Sequence, residues 1–160
     1  MTDFEALLSA LDRSRVAYIV VGGAAALAHG SARLTQDLDV VYDRSTENLD
    51  RLVSALRDLK PYLRGAPPGL PFVWDRATLS RGLNFTLETS LGFIDLLGEI
   101  PGGGTYQDLA ASAVNLQLFA GTCKCLSLDQ LIRAKRAAGP PKDLESLAEL
   151  AAIREETSSG

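Results

Sequence analysis

The sequence predicts a mixed α/β domain, one twisted sheet covered by helices, and three observations carry that expectation. Short apolar stretches of strand length, such as 18–21 and 93–97, alternate with longer segments whose apolar residues recur at helical spacing. Two pairs of strand-like stretches, 83–89 with 93–97 and 116–119 with 123–126, are joined by tight connections, as hairpins are. Capping residues, glycines and prolines fall between the segments rather than inside them.

Phe4, Leu7, Leu8 and Leu11 mark a first helix over 3–14, with Thr2 as its expected N-cap and Glu5 three residues on. A buried strand over 18–21 runs into Gly22-Gly23, which open a short helical segment, 24–29. Gly30 to Gln36 link it to a second apolar strand with carboxylates at 37 and 39. After a turn at 43–46, Leu49, Leu52, Val53, Leu56 and Leu59 define a third helix ending before Pro61. Residues 61–71 hold four of the seven prolines and two glycines, which predicts a loop, with a lid over a site as one role open to it. The two hairpins follow, separated by the break Pro101-Gly-Gly-Gly104. Ser127 caps a helix to 138 ended by Gly139, and Pro140-Pro141 separates it from a last helix over 142–155. The length of 160 residues predicts one domain over 1–156 and a frayed tail, 157–160.

Composition excludes some classes of function. With 46% hydrophobic and 22% charged residues the chain is ordinary for a globular protein, and no apolar run approaches the ~18 residues of a membrane span. The N-terminus lacks a signal-peptide pattern, so the cytoplasm is the expected compartment. A net charge of −4 does not suit a general nucleic-acid coat. A local basic patch, Arg133, Lys135, Arg136 and Lys142, remains. Cys123 and Cys125 alternate in an apolar stretch and read as neighbours on one strand face rather than as a metal site.

The chemistry-bearing residues are few. In a strand, residues two apart share a face, so Asp37 and Asp39 project side by side, and two adjacent carboxylates repel unless a cation lies between them. Hard cations such as Mg²⁺ are held by such carboxylates together with substrate phosphates. Gly22 and Gly23 allow close approach of a phosphate to backbone N–H groups. Asp95, inside Phe93-Ile-Asp-Leu-Leu97, is costly if buried unpaired and either points outward or joins the same site.

Strand, Gly-Gly, short helix, Asp-x-Asp in an apolar strand and a later apolar-flanked Asp together resemble the nucleotidyltransferases of the DNA polymerase β-like superfamily. More narrowly, they resemble its small one-domain bacterial members, which include toxins of toxin–antitoxin pairs. The resemblance implies the nucleotidyltransferase fold and Mg²⁺-dependent transfer of a nucleoside monophosphate from a nucleoside triphosphate to a hydroxyl, with Mn²⁺ as the alternative ion. It implies Asp37, Asp39 and Asp95 as metal ligands, with Asp95 also helping to deprotonate the acceptor. Gly22 and Gly23 would bind phosphates, although many members carry Gly-Ser at this turn. Arg33, Thr35, Lys135 and Lys142 are candidate nucleotide contacts, each weighed against a solvated surface role. The expected acceptor is an RNA 3′ end, a protein or a small molecule, and an antitoxin or other protein is a further expected partner. A non-catalytic module that binds nucleotide or a partner on the same fold is the alternative.

Overall fold

Apolar stretches of four to six residues become the central strands, and their order decides where the carboxylates meet. A computed structural model describes residues 2–138 and 144–159. Helix α1 spans Phe4–Arg13 and leads to strand β1, Tyr18–Val21, whose four residues are all buried. Helix α2, Gly22–Ala28, follows without a break, so the glycines form its first turn rather than preceding it. Strand β2, Asp37–Tyr42, buries every residue but its two aspartates. Helix α3, Thr46–Leu56, is capped by Ser45 and ends in a 3₁₀ turn over Arg57–Leu59.

The Pro-rich segment contains a short strand, β3, Tyr62–Leu63, and a six-residue helix, α4, Arg76–Arg81, comes after it. Neither was expected from the sequence, because both are too short to show a periodicity. Strands β4, Phe85–Thr89, and β5, Gly92–Leu97, form the expected hairpin. Strands β6, Glu99–Ile100, and β7, Gly104–Thr105, pair with each other, and helix α5 spans Tyr106–Ala110. Strands β8, Val114–Leu118, and β9, Gly121–Cys125, form the second expected hairpin. Ser127 caps helix α6, Leu128–Ala137, and helix α7 spans Leu144–Ser159. The expected break at Gly139, Pro140 and Pro141 lies outside the described residues. At the other end, α7 continues past 155, and Thr157 Oγ1 donates to Ile153 O at 2.9 Å.

Seven strands make one mixed sheet in the order β3-β4-β5-β2-β1-β9-β8. The β2–β5 and β1–β9 pairs are parallel and the other four antiparallel. Helix α1 packs on α3 and α3 on α4, while α2 packs on α6 and α6 on α7. Tyr42, Leu11, Ile19, Leu38, Leu52, Leu56, Ile94 and Leu96 are fully buried between these layers. Trp74 packs against this core, with its indole N–H donating to Val53 O at 3.0 Å.

The first helix is capped by Asp3, not Thr2: the Asp3 carboxylate accepts from Ala6 N at 3.0 Å. Thr2 has a different task. Its buried hydroxyl donates to Gln36 O and accepts from Phe93 N at 3.1 Å. It therefore bridges the starts of β2 and β5, one residue from Asp37. Among the described residues no helix is long and apolar enough to cross a membrane.

Candidate active site

Strand geometry alone aligns the three aspartates. In the parallel β2–β5 pair Asp39 stands opposite Asp95 and Asp37 opposite Phe93, so 37, 39 and 95 share one face of the sheet. One carboxylate oxygen from each lies within 4.8 Å of the other two. All three are partly buried. Burial first, then the charge of Asp95, a hydrogen bond with it and the charge of Asp37 push the Asp39 carboxyl up to about 7, against a smaller opposing pull from Arg64. Asp39 Oδ1 is buried without a hydrogen-bond partner.

Such a cluster suits a hard divalent cation. The donors are all carboxylate oxygens, their mutual repulsion needs a positive charge, and an orphaned buried oxygen needs a partner. Asp37, Asp39 and Asp95 are the residues that would hold it.

The Gly22–Gly23 turn adjoins the cluster because β1 ends opposite Asp39. Gly22 has φ +63°, in the left-handed region, and a Cβ there would collide with Asp39 Oδ2. A Cβ on Gly23 would lie 2.6 Å from Thr35 Oγ1. The serine that many members of the resembling family carry at this turn would therefore crowd the threonine hydroxyl. Thr35 Oγ1 also donates to Asp37 O at 3.2 Å, so one side chain touches both the turn and the carboxylate strand.

Lys135, from α6, lines two small cavities here. One, of about 170 Å³, is bounded also by Gly22, Asp39, Leu97, Ile100 and Leu131. The other, of about 290 Å³, is bounded also by Gly23, Arg33, Thr35 and Glu149. Arg33 is half-exposed, with Nε 3.8 Å from Glu149 Oε1. A larger cavity, about 460 Å³ between α1 and the β8–β9 turn, contains none of these residues.

The structure thus brings Asp37, Asp39, Asp95, Gly22, Gly23, Thr35, Arg33 and Lys135 around one end of the β1–β2–β5 group. Lys142 lies outside the described residues. His29 ends α2 with Nε2 2.8 Å from Leu126 O, and Asn84 Oδ1 accepts from Gly98 N at 2.9 Å. Cys123 and Cys125 are buried with their sulfurs 3.7 Å apart, as expected for one strand face.

Two residues at the site were not anticipated. Arg64 reaches Asp95 at 2.7 Å and Asp37 at 3.6 Å, and the signal available for it was its being the only charge in the Pro-rich stretch 61–71. Glu149, on α7, accepts from Ser31 Oγ at 2.7 Å and Ala32 N at 3.1 Å, which ties down the loop that carries Arg33 and Thr35. Nothing in the sequence distinguishes it from other exposed helical glutamates.

In sequence, neither a family model nor a curated protein matches the chain. Solved structures do match. The lincosamide antibiotic adenylyltransferase LnuA with lincomycin bound superposes with a TM-score of 0.60 at 16% identity, over 95% of this chain and 98% of that one. The antibiotic-resistance factor ANT(2'')-Ia in solution gives 0.56 at 17% identity, over 97% and 89% of the two chains. Its complex with adenylyl-2''-tobramycin gives 0.55 at 16% identity, over 97% and 94%. At such low identity the likeness speaks for architecture, and the mixed α/β fold of this chain is the nucleotidyltransferase fold.

Proposed function

We propose that the protein is a divalent-cation-dependent nucleotidyltransferase that moves a nucleoside monophosphate from a nucleoside triphosphate to the hydroxyl of a small molecule. The observation that carries this reading is the convergence of Asp37, Asp39 and Asp95 within 4.8 Å beside the Gly22–Gly23 turn. The small-molecule acceptor is supported by the structural neighbours, described as a lincosamide adenylyltransferase with lincomycin and as ANT(2'')-Ia with adenylyl-2''-tobramycin.

Each residue has a task in this reaction. When bound, Mg²⁺ supplies charge neutralisation at the phosphates and polarises the phosphorus–oxygen bonds. Asp37 and Asp39 hold it, and Asp95 completes the set and takes the proton of the acceptor hydroxyl. The hydroxyl oxygen bonds to the α-phosphorus as the bond to the β-phosphate breaks and pyrophosphate leaves. Gly22 and Gly23 keep the turn bare, so that phosphate oxygens reach backbone N–H groups. Lys135 offsets phosphate charge between the two cavities it lines, and Arg33 and Thr35 border the outer one.

The test is pyrophosphate release from each of the four ribonucleoside triphosphates with Mg²⁺. Hydroxyl-bearing antibiotics, total RNA and total protein serve as separate acceptors, beside Asp39→Asn. Release that depends on a small molecule and falls about 10²-fold in the variant is expected. Release with RNA or protein alone would move the acceptor to those classes, with the toxin role and antitoxin partner that go with them. Metal-independent nucleotide binding without release would favour the non-catalytic module.

A further inference from the structure

An arginine already acts as the cation of the carboxylate cluster, and nucleotidyl transfer as described above gives it no task. Arg64 follows β3 directly, and its backbone N–H donates to Thr86 O at 3.0 Å. Its Nη2 donates to Asp95 Oδ1 and to Leu87 O, both at 2.7 Å. Its Nη1 lies 3.6 Å from Asp37 Oδ2, and the guanidinium sits 4.4 Å above the Phe93 ring centroid. The side chain is only 20% exposed. These contacts span β2, β4 and β5, so the guanidinium bridges two of the three carboxylates rather than flanking them.

One detail shows what holds it there. Arg64 Nε is buried with no hydrogen-bond partner, a cost that a solvated arginine would avoid. The attraction of the acidic cluster is what offsets that cost. A cation that neutralises the cluster removes the attraction and leaves the orphaned N–H. Two positive groups in a cluster this small also repel each other strongly at the dielectric of a partly buried site.

We propose that Arg64 is a built-in competitor of the divalent cation, a positioning residue that makes metal loading depend on nucleotide. The proposal rests on the metal reading above. In the nucleotide-free protein Arg64 occupies Asp95 and Asp37, so a bare divalent ion binds weakly. A triphosphate brings negative charge of its own, which accommodates the ion and the displaced guanidinium together. The ion and the nucleotide therefore enter as a unit, and Arg64 sets the penalty for either arriving alone.

The experiment is a Mn²⁺ titration of nucleotide-free protein, read by the paramagnetic signal of free ion, for the wild type, Arg64→Gln, Arg64→Lys and Phe93→Leu. Arg64→Gln is expected to bind Mn²⁺ about tenfold or more tightly than the wild type. Arg64→Lys keeps the charge but loses the planar fork that spans Asp95 and Asp37, so its affinity falls between those of the wild type and Arg64→Gln. Phe93→Leu removes the ring that holds the guanidinium and tightens binding by a smaller factor, which keeps the test available if Arg64→Gln does not fold. Unchanged or weaker binding in Arg64→Gln, or in Phe93→Leu where that variant stands in for it, overturns the proposal while leaving the metal site intact. No Mn²⁺ binding by any of the four proteins overturns the proposal, because removing Arg64 would then free no site; the metal reading stands or falls separately on the Mg²⁺ dependence of pyrophosphate release.

Discussion

Gly23 and Thr35 act as a fitted pair, and the fit explains a departure from expectation. Many members of the family that the sequence resembles carry a serine where this chain has Gly23; here a threonine hydroxyl from the following loop lies 2.6 Å from where a Cβ at 23 would be. Gly23→Ser is therefore expected to destabilise the protein by about 1–3 kcal/mol through overpacking, and adding Thr35→Ala to recover most of it. Denaturant midpoints of the four proteins in a double-mutant cycle check this, and simple additivity would show that the two positions do not share the space. Residue patterns made some of the site legible. Asp37 and Asp39 could be placed on one face because the strand period of two is geometry, not statistics. Arg64 could not be placed, because a lone charge in a proline-rich loop carries no period, and its partners on β5 and β2 are set by tertiary structure alone.

At the scale of elements, the last helix restrains the loop that carries Arg33 and Thr35. Glu149 accepts from Ser31 and Ala32, and those hydrogen bonds hold its carboxyl below the usual glutamate range. A depressed carboxyl contributes above its unfolded pKa and stops contributing as pH falls through the folded value, so the restraint is intact at neutral pH. Glu149→Ala is expected to leave the fold in place and raise the nucleotide KM by about tenfold, the equivalent of roughly 1.5 kcal/mol for a charge-assisted hydrogen bond. Faster amide exchange at Ala32 accompanies it; an unchanged KM and unchanged exchange would show that the loop holds its shape unaided. The hairpins and the α6 cap were legible because turns and caps are local chemistry. The short α4, α5, β3, β6 and β7 were not, since elements of two to six residues follow from the packing of their neighbours.

For the molecule as a whole, the carboxylate cluster costs stability. Asp39 has a usual pKa of 3.8, pushed up to about 7 in the fold. Between those values the folded protein keeps a proton that the unfolded chain has lost, so stability falls as pH rises through that window. At a conversion of about 1.4 kcal/mol per unit, discounted for partial exposure, the metal-free protein should lose about 1–3 kcal/mol between pH 5 and pH 8. Saturating Mg²⁺ should restore much of it, and Asp39→Asn should flatten the profile. Urea unfolding at a series of pH values measures this; a metal-free stability that rises toward pH 8 would contradict the burial of Asp39. The strand order was not legible. Hairpins announce their own partners, but the parallel pairs β2–β5 and β1–β9 join distant segments and leave no local mark.

The parallel β2–β5 pair also imposes a sequence of events on the folding chain. Hairpins β4–β5 and β8–β9 need only local loops to close and can form within microseconds. The segment carrying α3, β3, α4 and β4 separates Asp39 from Asp95, so their pairing carries a loop-closure cost that the hairpins do not. A nascent chain ending before β5 carries two of the three carboxylates and lacks the strand that brings the third. On the metal reading proposed above, capture of a divalent ion together with nucleotide reports when the β2–β5 pairing has closed rather than when the first strands appear.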